Sequence, residues 1–362
     1  MTKEQIARLP MLFQDNRITR FYIGGKLLNE WQKKEAEEDS NRCEELLVTS
    51  LGAISKGEKA GFAVSRTIEQ QGGYLLSDII QQYPDEVLGK EFQEYNPGNL
   101  SVLARVGDTK VRLVMQCHPT KSDANKYFGM PMGKTEAWYI ARVREGEGEE
   151  PCVYAGFRKH VTPELWKSLI DKQDIENMLK CLYRFPVKEG DMILIPAGMP
   201  HCVGPNCLFL EFHECNDVTI RVEKKINGLT ISDEEMYNGL SQADGLSLFD
   251  YTTYGEEEIT EKIRMRRTVL QEEENFCLTQ LIGEEQNPTF GVDLLTLHGS
   301  WEMPERQYHR VAVAVDGDIV LQTEAGEEVL KQGHGALIPA ACRQVRMMGK
   351  NCKAVIGKPF LQ

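Results

Sequence analysis

The sequence predicts a mainly β protein with helical inserts, built from two jelly-roll barrels. From residue 100 onward, short apolar or alternating segments such as EAWYIARV and CLFLEFHE are typical of strands. Helical patterns are confined to inserts between these segments, and one strand-and-turn segment occurs twice. Many short strands joined by glycine turns favour antiparallel barrels over a parallel sheet.

The internal repeat supports two barrels. Residues 190–197 read GDMILIPA and residues 333–340 read GHGALIPA, with the same spacing from glycine to proline. The first copy continues to His201, whereas the second copy has Gln344 at the matching position. The second barrel therefore lacks the histidine that the first one carries.

Length and composition predict two domains. A chain of 362 residues with 41% hydrophobic residues exceeds the usual size of one small domain. We expect a first domain over residues 1–262 and a second over residues 263–362, separated near the charge-rich run GEEEITEKIRMRR. The first domain should carry helical inserts at about residues 31–95, 162–183 and 232–250.

Three local signals place helix boundaries within these inserts. Pro84 follows Tyr83 and should interrupt the first helical stretch. Thr162 can cap a helix that begins at Pro163, since proline lacks only a donor that would be unpaired there. The run from Ser232 to Glu235 has the capping-box pattern.

Charge and cysteine usage exclude several classes of partner. The 55 acidic and 42 basic side chains give a net charge of −13, which disfavours nucleic acid and anionic membrane surfaces. No stretch approaches the ~20 apolar residues that cross a bilayer. The ten cysteines contain no CxxC pair, so we expect reduced thiols in a cytoplasmic protein. A small-molecule ligand is expected, and monomer and homodimer both stay open.

Four residues have the chemistry of a metal site. Gln116 and His118 lie two apart on a strand predicted over residues 110–118 and share a face. Glu136 opens another strand, and His201 follows a proline turn. Singly, such a histidine is commonly a hydrogen-bonded rim residue and such a glutamate solvent-facing. Together, two imidazoles, a carboxylate and an amide oxygen indicate a divalent metal with an open position, for which we favour zinc.

These motifs resemble a known family. Four segments resemble motifs of the type I mannose-6-phosphate isomerases, short bacterial form, which belong to the cupin superfamily. In order along the chain they are DTKVRLVMQCHP at 108–119, GKTEAWYI at 133–140, IPAG at 195–198 with His201, and the stretch from Glu211 to Val222. The resemblance covers most of residues 20–225.

The resemblance implies a zinc-dependent aldose–ketose isomerase that converts mannose 6-phosphate to fructose 6-phosphate through an enediol. One Zn²⁺ per chain would be held by Gln116, His118, Glu136 and His201. A zinc ion can polarise the sugar carbonyl and hold the developing oxyanion. The first domain would be catalytic, and the second a degenerate cupin with a structural role.

The resemblance also implies roles for four polar residues around the metal. Arg221, Lys134 and Glu211 would be catalytic, and Lys134, Asp217 and Arg221 would bind substrate. Arg221 is expected near the reacting carbons and Lys134 at the far end of the sugar. Glu211, a zinc-bound water or another carboxylate could carry the proton.

Val114 departs from the family, which has a phosphate-contacting serine at this position. Its apolar side chain should share the face of Gln116, so another sugar or sugar phosphate is an alternative substrate. A non-catalytic sugar-binding cupin and an iron dioxygenase are further alternatives. His213, two residues after Glu211, could enter the pocket but is better interpreted as a core histidine.

Overall fold

The structure of the protein, a computed structural model, describes residues 1–35, 38–52, 63–146 and 148–360. The described part is mainly β with short helices, as the sequence predicts. Two six-stranded sheets, a seven-stranded sheet and a four-stranded sheet make up most of it. Within the described residues, no helix is long and apolar enough to cross a membrane.

The two six-stranded sheets contain five of the eight predicted site residues, namely Gln116, Glu136, His201, Glu211 and Arg221. The first contains, in spatial order, Arg17–Ile18, Glu44–Val48, Leu103–Thr109, Cys207–His213, Glu136–Val143 and Met192–Ile195. The second contains Ile220–Arg221, Gln116–Cys117, His201–Val203, Cys152–Arg158 and Thr253–Tyr254, with Leu182–Pro186 also paired to Cys152–Arg158. A two-stranded ribbon, Lys225–Ile226 with Leu229–Thr230, follows the second sheet.

The other two sheets come mainly from the C-terminal hundred residues. The seven-stranded sheet has the order Met11–Leu12, Gly335–Ile338, Arg310–Asp316, Cys352–Pro359, Phe290–Leu297, Phe276–Ile282 and Thr268–Glu273. The four-stranded sheet has the order Ser300–Met303, Val345–Met348, Ile319–Thr323 and Gly326–Leu330. The N-terminal strand thus pairs with strands near the other end of the sequence.

The four sheets lie in layers, and side chains that alternate along a strand join the apolar clusters on its two faces. Trp138 and Ile140 pack in the apolar cluster between the two six-stranded sheets. Ala137 and Tyr139, on the opposite face of the same strand, join a cluster shared with the seven-stranded sheet. A further cluster fills the space between the seven- and four-stranded sheets. The first six-stranded sheet and the central strands of the seven-stranded sheet therefore contribute to an apolar cluster on each face.

Helices cover the edges and outer faces of these layers. They are Lys3–Ile6, Lys26–Trp31, Leu76–Gln82, Pro84–Leu88, Lys90–Tyr95, Lys121–Phe128, Pro163–Lys172, Ile175–Lys180, Asp233–Met236, Gln242–Ser247 and Glu256–Ile263, with a 3₁₀ turn at Glu69–Gln71. The Thr162 hydroxyl accepts the Leu165 N–H, and Ser232 forms a capping box with Glu235, as predicted. The helix Leu76–Gln82 ends before Pro84, which begins the next helix.

Three segment predictions need correction. The insert at 31–95 contains the buried strand Glu44–Val48, and its residues 36–37 and 53–62 lie outside the described residues. The helix Lys121–Phe128, capped by Thr120, was not predicted. The charge-rich run expected only as a boundary contains the helix Glu256–Ile263.

A fourth correction concerns the strand expected over residues 110–118. Only Gln116–Cys117 is a strand, because the Glu223 carboxylate accepts the Met115 N–H (2.6 Å) and two bonds from Arg112 (2.7 and 2.9 Å). These side-chain contacts take a backbone donor that a strand partner would otherwise use.

The two copies of the repeat have matching local structure. Gly190 and Gly333 both adopt positive φ, at 83° and 79°, and each precedes a buried strand, Met192–Ile195 and Gly335–Ile338. Positive φ favours glycine, which explains its recurrence at the turn. Among the described residues, no sheet closes into a barrel, and each copy belongs to a pair of facing sheets.

Candidate metal centre and cavity

Three neighbouring strands align Gln116, His201 and Arg221. His201 is directly opposite Gln116 on one side, and Arg221 is opposite Gln116 on the other. Directly paired residues project to the same face of a sheet. The pairing therefore places an amide, an imidazole and a guanidinium in a row.

Glu136 reaches this row from the first six-stranded sheet. Its carboxylate lies between two imidazoles, with Oε2 3.1 Å from His118 Nε2 and Oε1 3.1 Å from His201 Nε2. All three side chains are at most 2% exposed. Among the described residues, they form the single cluster of three or more histidine, cysteine or acidic side chains that could hold a metal ion.

Hydrogen bonds fix both histidines in a metal-binding form. His118 Nδ1 donates to the Val218 carbonyl and His201 Nδ1 to the Met199 carbonyl, each at 2.8 Å. Because a carbonyl can only accept, each Nδ1 carries a proton, and each ring turns its Nε2 toward Glu136. Burial and the nearby Lys134 cation lower the pKa of His118 to about 4, so this ring is neutral at pH 7.

The donor set fits a divalent cation. Burial alone would raise the pKa of Glu136, but Lys134, His118 and His201 hold it well below its usual range, so the carboxylate is ionised. Its buried Oε2 accepts no well-formed hydrogen bond. Gln116 Nε2 lies 3.3 Å from His201 Nε2, and rotating the amide would present its oxygen to the same point. Nitrogen and oxygen donors of this kind suit zinc.

Lys134 lies against these candidate ligands. Its Nζ is 3.0 Å from Glu136 Oε2, 3.2 Å from His118 Nε2 and 3.4 Å from Glu211 Oε1. We expected Lys134 to face the far end of a bound sugar, and these contacts favour the metal end instead. Its amine lies at the candidate metal centre itself.

A buried charge network extends from Lys134 toward the N-terminal segment. Arg105 donates to Glu211 (2.7 Å) and Asp217 (3.1 Å) and lies 3.4 Å from Glu44, which also accepts from Arg20 (2.6 Å). Burial raises the pKa of Glu211, whereas for Asp217 the Arg105 and Lys134 cations outweigh burial and lower it.

The sequence motifs indicate Glu211 and Asp217 as site residues. They do not indicate Arg105, Glu44 or Arg20. Arg105 lies in a predicted strand, and the structure pairs it directly with Glu211. A charged residue inside an otherwise apolar strand was the available signal, but strand register was needed to show what it faces.

A cavity of about 620 Å³ opens beside the centre. Gln116, Lys134, Glu211, Asp217 and Arg221 all line it, so the structure gathers most of the predicted site residues on one cavity. The wall also includes Arg20, Phe21, Tyr22, Glu44, Arg105, Leu113, Val114 and Phe209. Val114 therefore presents an apolar side chain to the cavity, on the side of Gln116 as predicted.

Arg221 and His213 differ in their access to this cavity. Arg221 donates to the Glu235 carbonyl at 3.3 Å, and burial lowers its pKa to about 10, which leaves it cationic at neutral pH. His213 is buried, and its Nδ1 donates to the Glu214 carbonyl at 2.8 Å. It does not line the large cavity, in line with its interpretation as a core histidine.

Comparison with known proteins supports the resemblance, although no family model matches the chain. The chain is 28% identical over 172 residues to mannose-6-phosphate isomerase ManA of Bacillus subtilis, covering 46% of this chain and 50% of that protein. It is 29% identical over 141 residues to mannose-6-phosphate isomerase of Streptococcus mutans, covering 38% and 42%. The match thus spans about half the length of these curated relatives or less.

Solved structures extend the similarity to almost the whole chain. The mannose 6-phosphate isomerase from Bacillus subtilis superposes with a TM-score of 0.73 at 18% identity, covering 96% of this chain and 99% of that one. The apo mannose 6-phosphate isomerase from Salmonella typhimurium gives 0.67 at 13% identity, covering 97% and 99%. The chain is therefore a relative of the mannose-6-phosphate isomerases in sequence and shares the fold of these enzymes.

Proposed function

We propose that the protein is a zinc-dependent aldose–ketose isomerase that converts mannose 6-phosphate to fructose 6-phosphate through an enediol. The observation that carries this proposal is the convergence of His118, Glu136 and His201 beside a cavity of about 620 Å³. Cavities of 300–1,000 Å³ are typical for small-molecule ligands. The similarity to mannose-6-phosphate isomerases supports the choice of substrate.

Gln116, His118, Glu136 and His201 would hold one zinc ion per chain. When bound, zinc supplies a Lewis acid that polarises the sugar carbonyl and favours the enediol. The two histidines suit this role because backbone carbonyls fix their Nδ1 protons.

The remaining polar residues orient the sugar and stabilise charge. Arg221 is a cation in the cavity wall next to Gln116, where it would stabilise negative charge on the enediolate. Lys134, held against Glu136, would donate to the same oxygen-bearing end of the sugar. Asp217, fixed by Arg105, would accept hydrogen bonds from sugar hydroxyls.

We assign proton transfer between C1 and C2 to Glu211. Its carboxylate lines the cavity, lies 3.4 Å from Lys134 and is oriented by Arg105 at 2.7 Å. A base held in one rotamer by a second residue is the arrangement that general base catalysis needs.

One observation favours a second substrate. Val114 and Leu113 both line the cavity near Gln116, so these two positions offer no side-chain hydrogen bond to a phosphate. An isomerase of another sugar or sugar phosphate is therefore the alternative. All ten cysteines are free, which supports a cytoplasmic location. The paired sheets of each half support the two-jelly-roll description.

The test combines metal analysis with a substrate screen. The purified protein should contain one zinc per chain and isomerise mannose 6-phosphate in preference to other aldose phosphates and to free sugars. His118→Ala combined with His201→Ala should lose both properties, whereas the control His298→Ala, at an exposed histidine, should keep both. Zinc retained by the double variant would refute the site. Turnover of a different sugar alone would establish the alternative substrate.

A further inference from the structure

The strand Thr268–Glu273 forms one edge of the seven-stranded sheet. It pairs with Phe276–Ile282, and its other side has no strand partner among the described residues. All six of its residues are exposed, including Val269 at 56% and Leu270 at 48%. Such an edge presents free backbone N–H and C=O groups and readily pairs with another strand.

The two ends of this edge strand carry opposite charge. Arg266 and Arg267 precede it, and Glu272, Glu273 and Glu274 end it. Arg266 lies 3.7 Å from Glu261, with both side chains largely exposed, and Arg267 donates to the Gly190 carbonyl at 2.6 Å. None of the three glutamates forms an ion pair with a described residue.

We infer that this edge strand pairs antiparallel with the same strand of a second copy of the chain. In a two-fold arrangement, each contact occurs twice. Pairing centred on Leu270 places Arg267 opposite Glu273 and Arg266 opposite Glu274. Opposite charges in cross-strand pairs are stabilising, and a parallel pairing would bring like charges together.

The centre of the strand also suits this partner. Leu270 of one copy would face Leu270 of the other, and this contact would remove exposed apolar surface from water. The pairing with Phe276–Ile282 is irregular between Val269 and Gln271, which leaves Leu270 without a direct partner inside the chain.

Charge-swapped variants test the pairing. One variant, Arg266→Glu with Arg267→Glu, has an acidic strand throughout; the other, Glu272→Lys with Glu273→Lys and Glu274→Lys, has a basic one. Analytical ultracentrifugation should show a dimer for the native chain and a monomer for each variant alone. Mixing the two variants in equal amounts should restore a dimer, because positions 266 and 267 of one variant then face oppositely charged positions 274 and 273 of the other.

The control variant is Glu91→Lys with Glu94→Lys, which changes exposed charges on a helix distant in sequence and should stay dimeric. A monomeric native chain at ~100 μM, dimeric single variants, or a monomeric mixture would each overturn the proposal. Thermal unfolding of each variant checks that it is folded. Loss of dimer with unchanged sugar turnover would separate this inference from the proposed isomerase activity, since the edge strand does not line the cavity.

Discussion

Lys134 Nζ lies 3.0 Å from Glu136 Oε2, and both side chains are 2% exposed. The ammonium thus occupies a position next to the carboxylate that a metal ion would use. Two cations at one carboxylate repel each other strongly in a buried environment. The metal affinity of the centre and the position of this lysine are therefore coupled.

Replacing Lys134 by methionine should strengthen zinc binding and weaken catalysis. We expect zinc affinity to rise by about tenfold, because a competing buried cation is removed. Turnover of the sugar should fall by about 100-fold, the usual effect of losing a charge-stabilising donor. Competition titration with a zinc chelator and steady-state kinetics measure the two effects, with the exposed Lys172→Met as control. If Lys134→Met weakened zinc binding instead, the lysine would not compete with zinc for the Glu136 carboxylate.

Arg221→Ala should lower kcat by about 100-fold while zinc content stays at the native level. The physical reason is that Arg221 lies beside Gln116 in the cavity wall without being a metal donor. Arg221→Lys keeps the charge and should recover part of the rate. An increase in KM with unchanged kcat would instead show that Arg221 stabilises the bound substrate and the transition state equally.

Glu223 should control zinc affinity without touching the metal. Its carboxylate holds the Met115 N–H at 2.6 Å, directly before Gln116, and pairs with Arg112. Glu223→Ala should weaken zinc binding by about tenfold, since partners that orient a ligand commonly contribute 10–100-fold. Glu223→Gln keeps an acceptor for Met115 and should stay closer to the native affinity. Equal losses in the two variants would show that the ion pair, not the backbone contact, matters.

Val114→Thr tests the recognition of phosphate. Threonine has nearly the shape of valine and adds a hydroxyl to the cavity wall. We expect kcat/KM to rise about tenfold for a phosphorylated sugar relative to its free form, in line with one added hydrogen bond of about 1.4 kcal/mol. Val114→Ala controls for the change in packing. If the threonine variant left the ratio of kcat/KM for the phosphorylated and the free sugar unchanged, phosphate would not bind at this part of the cavity.

His309 should make stability fall on acidification. This buried histidine accepts the Ser101 N–H and donates to the Leu88 carbonyl, and burial lowers its pKa from 6.5 to about 4. Between these values the unfolded chain binds the proton and the folded chain does not. Stability is therefore fully present above pH 6.5 and is lost as pH falls toward 4.

The loss from His309 should approach about 1.4 kcal/mol per pH unit. Urea unfolding at pH 7.5 and 5.5 measures it, and His309→Gln should reduce the difference between the two pH values by about 1 kcal/mol. The exposed His298→Gln serves as control. His118 and His213 have lowered pKa values too, so part of the difference should persist. A difference unaffected by His309→Gln would show that this residue titrates normally.

The sequence predicted the candidate metal cluster better than its surroundings. His118, Glu136 and His201 belong to motifs whose spacing is local, and the structure brings them within 4.8 Å. Arg105 and Glu44 were missed because their role depends on strand register, which pairs Arg105 with Glu211 across the sheet. The strand at 110–118 was overestimated because Glu223, far along the chain, takes a backbone donor from Met115.

The pairing of Met11–Leu12 with Gly335–Ile338 has a consequence for synthesis on the ribosome. Leu337, the partner of Met11, is synthesised 326 residues after it. The segment Met11–Leu12 therefore cannot form this strand pair until that point. Arg20 and Tyr22 of the cavity wall lie shortly after this segment in the sequence. A ribosome paused before residue 335 would thus leave the segment that leads into the cavity wall without its strand partner.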